Sequence, residues 1–401
     1  MKKSIKKLLS LGLVTVMVAS LFAGCGKKDS DSSSSNDKFY IGSIGPITGA
    51  AAQYGECVMN SAQIAVDEIN ANGGINGYQV EFKFIDDANV VETAVSAYNT
   101  LKDWGMQILM GTVTTQPCMS VAELTEIDEM FQITPSASST SVIEGNTNVF
   151  QVCFTDPNQG SASAIYIGEN SLASKVAVIY DSSSDYSSGI YQSFTEEAEN
   201  QDFEVVYSGA FTSDSNKDFS VQLQAAMDAG AELLFLPIYY TEASLILTQA
   251  DAMGYDPVIF GVDGMDGILT VENFDTSLAE DVLLLTPFAA DATDDLTVNF
   301  VTKYEELYGE TPNQFGADAY DAIYIIKAAL ESANATPDMD IDELCEKLVA
   351  AITSISVDGL TGKDMQWSAN GAVNKAPKAV VIKNGTYVSF DASSYSTASE
   401  E

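Results

Sequence analysis

The 401-residue chain contains no histidine, and all eighteen of its basic residues are lysine, so arginine is absent as well. Without histidine there is no Ser-His-Asp or Cys-His arrangement and no imidazole ligand for a metal; without arginine there is no bidentate clamp for a carboxylate or phosphate. An anionic ligand group would have to be held by hydroxyls, backbone N–H groups or helix N-termini. Positive charge is scarce overall. The formal net charge is -39, and taking away the four lysines Lys2, Lys3, Lys6 and Lys7 of the acid-free N-terminal stretch leaves -43. Such a polyanion repels phosphate backbones and anionic headgroups, which argues against nucleic-acid binding and electrostatic docking on membranes. With 46% hydrophobic and 9% aromatic residues the chain should nonetheless fold, and its length suits two cores rather than one.

The N-terminus reads as an export signal. Met1 to Lys7 is basic, Leu8 to Phe22 is almost wholly apolar but too short to favour a membrane span, and Ala23-Gly24 precede Cys25. This resembles a bacterial lipoprotein signal, which implies cleavage of residues 1–24 and a lipid on Cys25; Phe22 departs from the more usual leucine. Residues 25–38 follow as a Ser- and Asp-rich tether, and 396–401 as a disordered tail. The resemblance implies an exported, membrane-anchored protein on the extracellular face of the cell. Cys57, Cys118, Cys153 and Cys345 form no C-x-x-C pair, and disulfides or buried free thiols both stay open.

From Phe39 short β-rich runs alternate with helical patterns, as in a mainly parallel sheet covered on both faces. Strands are expected at 39–44, 79–85, 107–110, 131–134 and 149–152, and after Asp156-Pro157 again at 175–180, 204–207, 232–236, 258–260 and 282–285. Helices are expected near 296–308, 317–330 and 342–352. Two such α/β units should bind a ligand at the carboxyl ends of their strands, in the crevice between them.

Specific residues then occur in series: Ile41 to Gly49, Gln53-Tyr54-Gly55-Glu56, Asp67-Glu68-Ile69-Asn70, Gly73-Gly74-Ile75, Asp86-Asp87, Gly111 to Thr115, Thr134 to Ser138, Val178 to Asp181 with Tyr186, Pro237 to Glu242, and Gly261-Val262-Asp263-Gly264. Their order and spacing resemble the branched-chain amino-acid-binding protein family over Phe39 to about Ser389. The resemblance implies an α/β fold, a two-lobed periplasmic-binding-protein type I clamp in which each lobe is a mainly parallel sheet flanked by helices. Lobe 1 would comprise 39–154 with 288–363, lobe 2 155–287 with 364–395. Three hinge crossings would lie near Phe154 to Gln159, Thr286 to Ala290 and Leu360 to Trp367. It further implies a monomeric receptor without a cofactor, handing a small amino acid, branched-chain or a related aliphatic or aromatic one, to the permease of an ABC importer.

Carried over residue by residue, the resemblance also implies the grip on a zwitterion. Gly111 to Thr115 lies between a strand and a helix, so N–H groups and the hydroxyls of Thr114 and Thr115 could meet a carboxylate. Ser136 would offer a carbonyl to the ammonium and Ser138 a hydroxyl and N–H, while Asp263, followed by Gly264, would pair with the ammonium. Tyr54, Tyr186, Tyr239 and Tyr240 would wall the cleft, with Phe315 beside the ligand side chain. Against each stands a plainer role, as core tyrosine or turn-capping aspartate.

Two rivals remain. Gly42, Gly45 and Gly49 superficially resemble a dinucleotide loop, but the pattern is not G-x-G-x-x-G and Asp86-Asp87 follows too late for the ribose acid; Tyr98 and Lys102 sit too early for a dehydrogenase pair. A sensor using the same clamp for an amide or other small solute remains open.

Overall fold

Apolar runs of β-branched and leucine residues, each followed by an amphipathic stretch, build two parallel sheets. The computed structural model describes residues 37–390, all within one compact unit. The first half runs β1 (Lys38–Gly45), α1 (Ala52–Ala71), β2 (Gln79–Asp86), α2 (Val91–Trp104), β3 (Ile108–Gly111), α3 (Thr115–Ile127), β4 (Gln132–Thr134) and β5 (Val149–Gln151). These strands form a five-stranded sheet in the order β2-β1-β3-β4-β5, parallel throughout.

The rhythm then repeats with α4 (Asp156–Glu169), β6 (Lys175–Asp181), α5 (Asp185–Ala198), β7 (Glu204–Phe211), α6 (Ser220–Asp228), β8 (Leu233–Leu236), α7 (Tyr240–Met253), β9 (Val258–Gly261) and β10 (Leu283–Thr286). After α8 (Asp295–Tyr308), α9 (Gln314–Ser332) and α10 (Ile341–Ile352) comes a hairpin of β11 (Lys378–Lys383) and β12 (Thr386–Ser389). The second sheet is ordered β12-β11-β10-β9-β8-β6-β7, parallel except where the hairpin joins it. In β8 all of Leu233, Leu234, Phe235 and Leu236 are buried, as expected of a strand covered on both faces.

All ten expected strands fall on β1 to β10, although β7 continues to Phe211 beyond the anticipated Tyr207. The β11–β12 hairpin was not expected. Helix α9, far along the chain, returns to the first sheet and packs on α1. Gly316 permits the close approach: a Cβ there would stand 2.4 Å from the Cys57 sulfur and 2.5 Å from the Ser61 hydroxyl.

The third passage between sheets lies later than the expected Leu360 to Trp367. Leu360 and Thr361 donate their N–H groups to Asp321 on α9, and the Trp367 indole donates to the Gln151 carbonyl of β5 at 2.8 Å. Gly371 accepts from Gln151 N, and Lys375 reaches Asp318 of α9 at 2.6 Å. Residues 364–375, expected in lobe 2, therefore stay bonded to the first sheet's side, and the chain enters the second sheet at Lys378. Buried donors and acceptors need partners, and here they find them in β5 and α9.

The four described cysteines are free and buried, which answers the open question of disulfides. Cys25, the leader, the anterior tether and residues 391–401 lie outside the described residues.

Candidate functional site

The carboxyl ends of β3 and β4 supply one wall of a crevice. After β3, Thr112 to Thr114 turn into α3, whose N-cap Thr114 makes no side-chain cap bond; its hydroxyl donates instead to Asn89 Oδ1 at 2.7 Å. The first-turn N–H groups of Thr115 and Gln116 are thus left for another acceptor, at the positive end of a 13-residue helix. After β4, the Thr134 hydroxyl donates to the Thr112 carbonyl at 2.6 Å and accepts from Ala137 N at 2.9 Å. The Ser136 hydroxyl donates to the Val113 carbonyl at 2.6 Å. These bonds clip the two loops together and hold Ser136 and Ser138 at the strand ends. Ser138 is buried, with its hydroxyl beside the Asp156 carboxyl.

The facing wall follows β9. Asp263, 2% exposed, accepts from the Tyr186 hydroxyl at 2.5 Å on Oδ1 and from Gln159 Nε2 at 3.0 Å on Oδ2. Tyr186 in turn accepts from Gly264 N at 3.0 Å. Burial outweighs these bonds and pushes the Asp263 carboxyl up to about 7. Asp156, which opens α4, is 0% exposed and its carboxyl is also pushed well above the ordinary range, chiefly by burial. Tyr54 and Tyr186 are likewise raised by burial.

The walls meet. From the first side Tyr54, Thr114, Thr115, Ser136 and Phe315, and from the second Tyr186, Tyr239, Asp263 and Gly264, line one narrow cavity, together with Val113. Tyr54 donates its hydroxyl to the Gly264 carbonyl, and its ring packs on Phe315 at 4.5 Å and on Tyr239 at 5.3 Å between centroids. Tyr240 does not line the cavity: its ring lies 4.9 Å from that of Tyr54 and its hydroxyl accepts from Gln53 N, so it closes the gap from outside. Ser138 also stands off the lining, beside the buried Asp156. Further bonds cross between the sides, from Gln314 Nε2 to the Asp263 carbonyl, from Gln314 N to Asp266 Oδ2, and from Thr241 to the Ala50 carbonyl.

Three contributors escaped the sequence reading: Asp156, Gln159 and Gln314. Asp156-Pro157 marks the start of the second unit, and Gln159 lies three residues on, on the same face of α4; that spacing is the available signal. Gln314 adjoins the expected Phe315, but its own side chain reaches Asp263 only because α9 returns to the site. Among the described residues no group of acidic, cysteine or histidine side chains could hold a metal ion.

This arrangement offers a carboxylate for an ammonium, open helix N–H groups and hydroxyls for a carboxylate, and aromatic rings for an apolar body. A family model described as periplasmic binding protein matches residues 38–386. A Leu/Ile/Val-binding protein homolog from Brucella melitensis is 30% identical over 299 residues, covering 74% of this chain and 80% of that one. Among solved structures, a branched-chain amino acid transporter substrate-binding protein from Streptococcus pneumoniae in complex with isoleucine is 28% identical with a TM-score of 0.79, covering 87% of this chain and 97% of that one. A leucine-binding protein from Thermotoga maritima is 26% identical with a TM-score of 0.78, covering 88% and 98%. A two-lobed α/β clamp with its polar groups gathered at facing strand ends, matched by that model along most of its length, places this chain in the periplasmic binding protein family, to which it belongs.

Proposed function

We propose that this chain is the solute-binding receptor of an ABC importer and holds a free α-amino acid in the crevice between its sheets. The observation that carries the reading is Asp263: a buried carboxylate on one wall, facing open helix N–H groups on the other, with no basic side chain lining the cavity. The ammonium would sit on Asp263 and the Ser136 carbonyl, the carboxylate on the N-terminus of α3 with the Thr114 and Thr115 hydroxyls. Tyr54, Tyr239 and Phe315 would face the side chain. The relatives' names, with leucine, isoleucine and valine among their ligands, support an amino acid.

Capture and release, without turnover, is the role this supports. We further propose export, anchoring through a lipid on Cys25 to the outer face of the membrane, and action as a monomer; among the described residues no helix is long and apolar enough to cross a membrane. A thermal-shift screen of amino acids against aromatic acids tests the ligand class. A ligand at 100 times its dissociation constant adds about 2.7 kcal/mol. Stabilisation by benzoates and by no amino acid would refute the reading.

A further inference from the structure

Asp263 and Gly264 form a short turn after β9, and two side chains grip that turn in the same way. Gln159 accepts from Asp263 N on Oε1 at 3.3 Å and donates from Nε2 to Asp263 Oδ2 at 3.0 Å. Tyr186 accepts from Gly264 N at 3.0 Å and donates its hydroxyl to Asp263 Oδ1 at 2.5 Å. Each therefore ties one backbone N–H of the turn to one oxygen of the carboxyl. The Gln159 amide has a single workable orientation, because the reverse would set its oxygen against Oδ2 and its N–H against the Asp263 N–H. Both grips come from one helix pair. Gln159 is on α4 and Tyr186 on α5, and at Gly160 the two helices approach so closely that a Cβ would stand 2.4 Å from the Ile190 carbonyl oxygen.

Tyr186 lines the cavity, whereas Gln159, 0% exposed, does not. A carboxylate has about four lone-pair positions, so one donor on each oxygen still leaves places for a ligand in the cavity that Asp263 lines. Donors on both oxygens also favour the ionised form. The other surroundings do not. Burial and the neighbouring acids Asp156 on α4 and Asp318 on α9 oppose a charge on Asp263. Tyr54 on α1, Tyr239 at the head of α7 and Cys153 after β5 face it as neutral groups, their own ionisation suppressed by burial. Lys375 is already paired with Asp318.

We propose that Gln159 is a positioning residue of the ammonium site: without touching the ligand, it holds the Asp263 carboxyl toward the cavity and keeps it ionised. Both residues belong to the side built around the second sheet, so the clasp does not depend on the first side closing over it. The acid stands ready before an amino acid arrives. That Asp263 receives an α-ammonium rests on the reading above; the hold of Gln159 on Asp263 does not.

Gln159→Met removes both polar ends at similar length. Gln159→Glu, which keeps the acceptor for Asp263 N and replaces the donor with a second acid, serves if circular dichroism shows the first variant unfolded. Carbon-detected NMR of the unliganded, aspartate-labelled protein follows the Asp263 carboxyl, identified as the signal that Asp263→Asn removes. Its titration midpoint should rise by about one pH unit in either variant. Calorimetric titration with leucine at about pH 7.5 should give an affinity about tenfold weaker, the size of one charge-assisted bond. A rise of less than about half a unit, or a leucine affinity within about threefold of wild type, would overturn the inference. Weaker binding without the rise is what a residue that only stabilises the fold would give. If the wild type binds neither leucine nor any other amino acid, the reading of the site falls, and the midpoint alone judges Gln159.

Discussion

Replacing Asp263 with asparagine retains the shape of the side chain and removes its charge. In the structure both carboxylate oxygens accept, from Tyr186 at 2.5 Å and Gln159 at 3.0 Å, and the group is 2% exposed. Asparagine keeps one acceptor and turns the other position into a donor, so it can no longer serve an ammonium and its neighbours together. Losing a charge-assisted bond in so dry a place should cost about 2 to 4 kcal/mol, a weakening of roughly 30- to 1,000-fold. The unliganded protein should respond in the opposite sense. A carboxyl raised to about 7 is held in its charged form at a cost, so the variant should melt no lower than the wild type at pH 8. Titration calorimetry with the best ligand gives the first quantity, and thermal melts without ligand give the second. An affinity loss under about threefold, equivalent to about 0.65 kcal/mol, would make Asp263 a turn residue and remove the main support for an ammonium-bearing ligand.

Burial raises Asp263 to about 7 and Asp87 and Asp266 to about 6, all from the ordinary 3.8. The native state therefore binds more protons than the unfolded chain between these limits, and unliganded stability should fall as pH rises from about 4 to about 7; a melting temperature that climbs across that window would contradict the assignment. Lys375 pairs with Asp318 in a site where the two side chains are 0% and 2% exposed, so Lys375→Ala should lower stability by about 3 to 5 kcal/mol in urea titrations, against under 1 kcal/mol if the pair is idle. Cys25→Ser should release the protein from the membrane fraction into the medium; retention would mean that something other than a lipid holds it.

The α/β rhythm was readable because central strands such as β3, β4, β8 and β10 are runs buried along their whole length, and helices α2, α7 and α8 each end at a left-handed glycine. The β11–β12 hairpin escaped because Lys378 and Lys383 bracket a short apolar run that lies beyond the last helix and joins the sheet only through distant β10. The late third passage escaped for a related reason: what keeps residues 364–375 near the first sheet is bonding to Gln151 and Asp318, partners far away in sequence. Within the site, residues next to strand ends could be located, since loops there carry ligands in folds of this kind. Thr114 and Asp263 stand next to such ends, after β3 and β9, whereas Tyr54, on α1, was indicated by the family resemblance alone. Tyr240 was placed one layer too far in, because neighbouring tyrosines at a helix start look alike until α7 fixes which ring points inward. Gln314 depended on α9 crossing back to α1, which the resemblance marked only through the neighbouring Phe315.

The four free thiols have an experimental consequence. Cys57 lies on α1, Cys118 on α3, Cys153 just after β5 and Cys345 on α10, so all belong to the side built around the first sheet, and both tryptophans, Trp104 and Trp367, do too. Burial pushes the thiols of Cys57, Cys118 and Cys345 up to about 12, which leaves them almost unreactive while the fold is shut. Alkylation kinetics on the native protein would therefore time the opening of one half of the molecule while the other half stays chemically silent, and because no bridge has to form, protein made in a reducing cytosol should give the same clock as exported material.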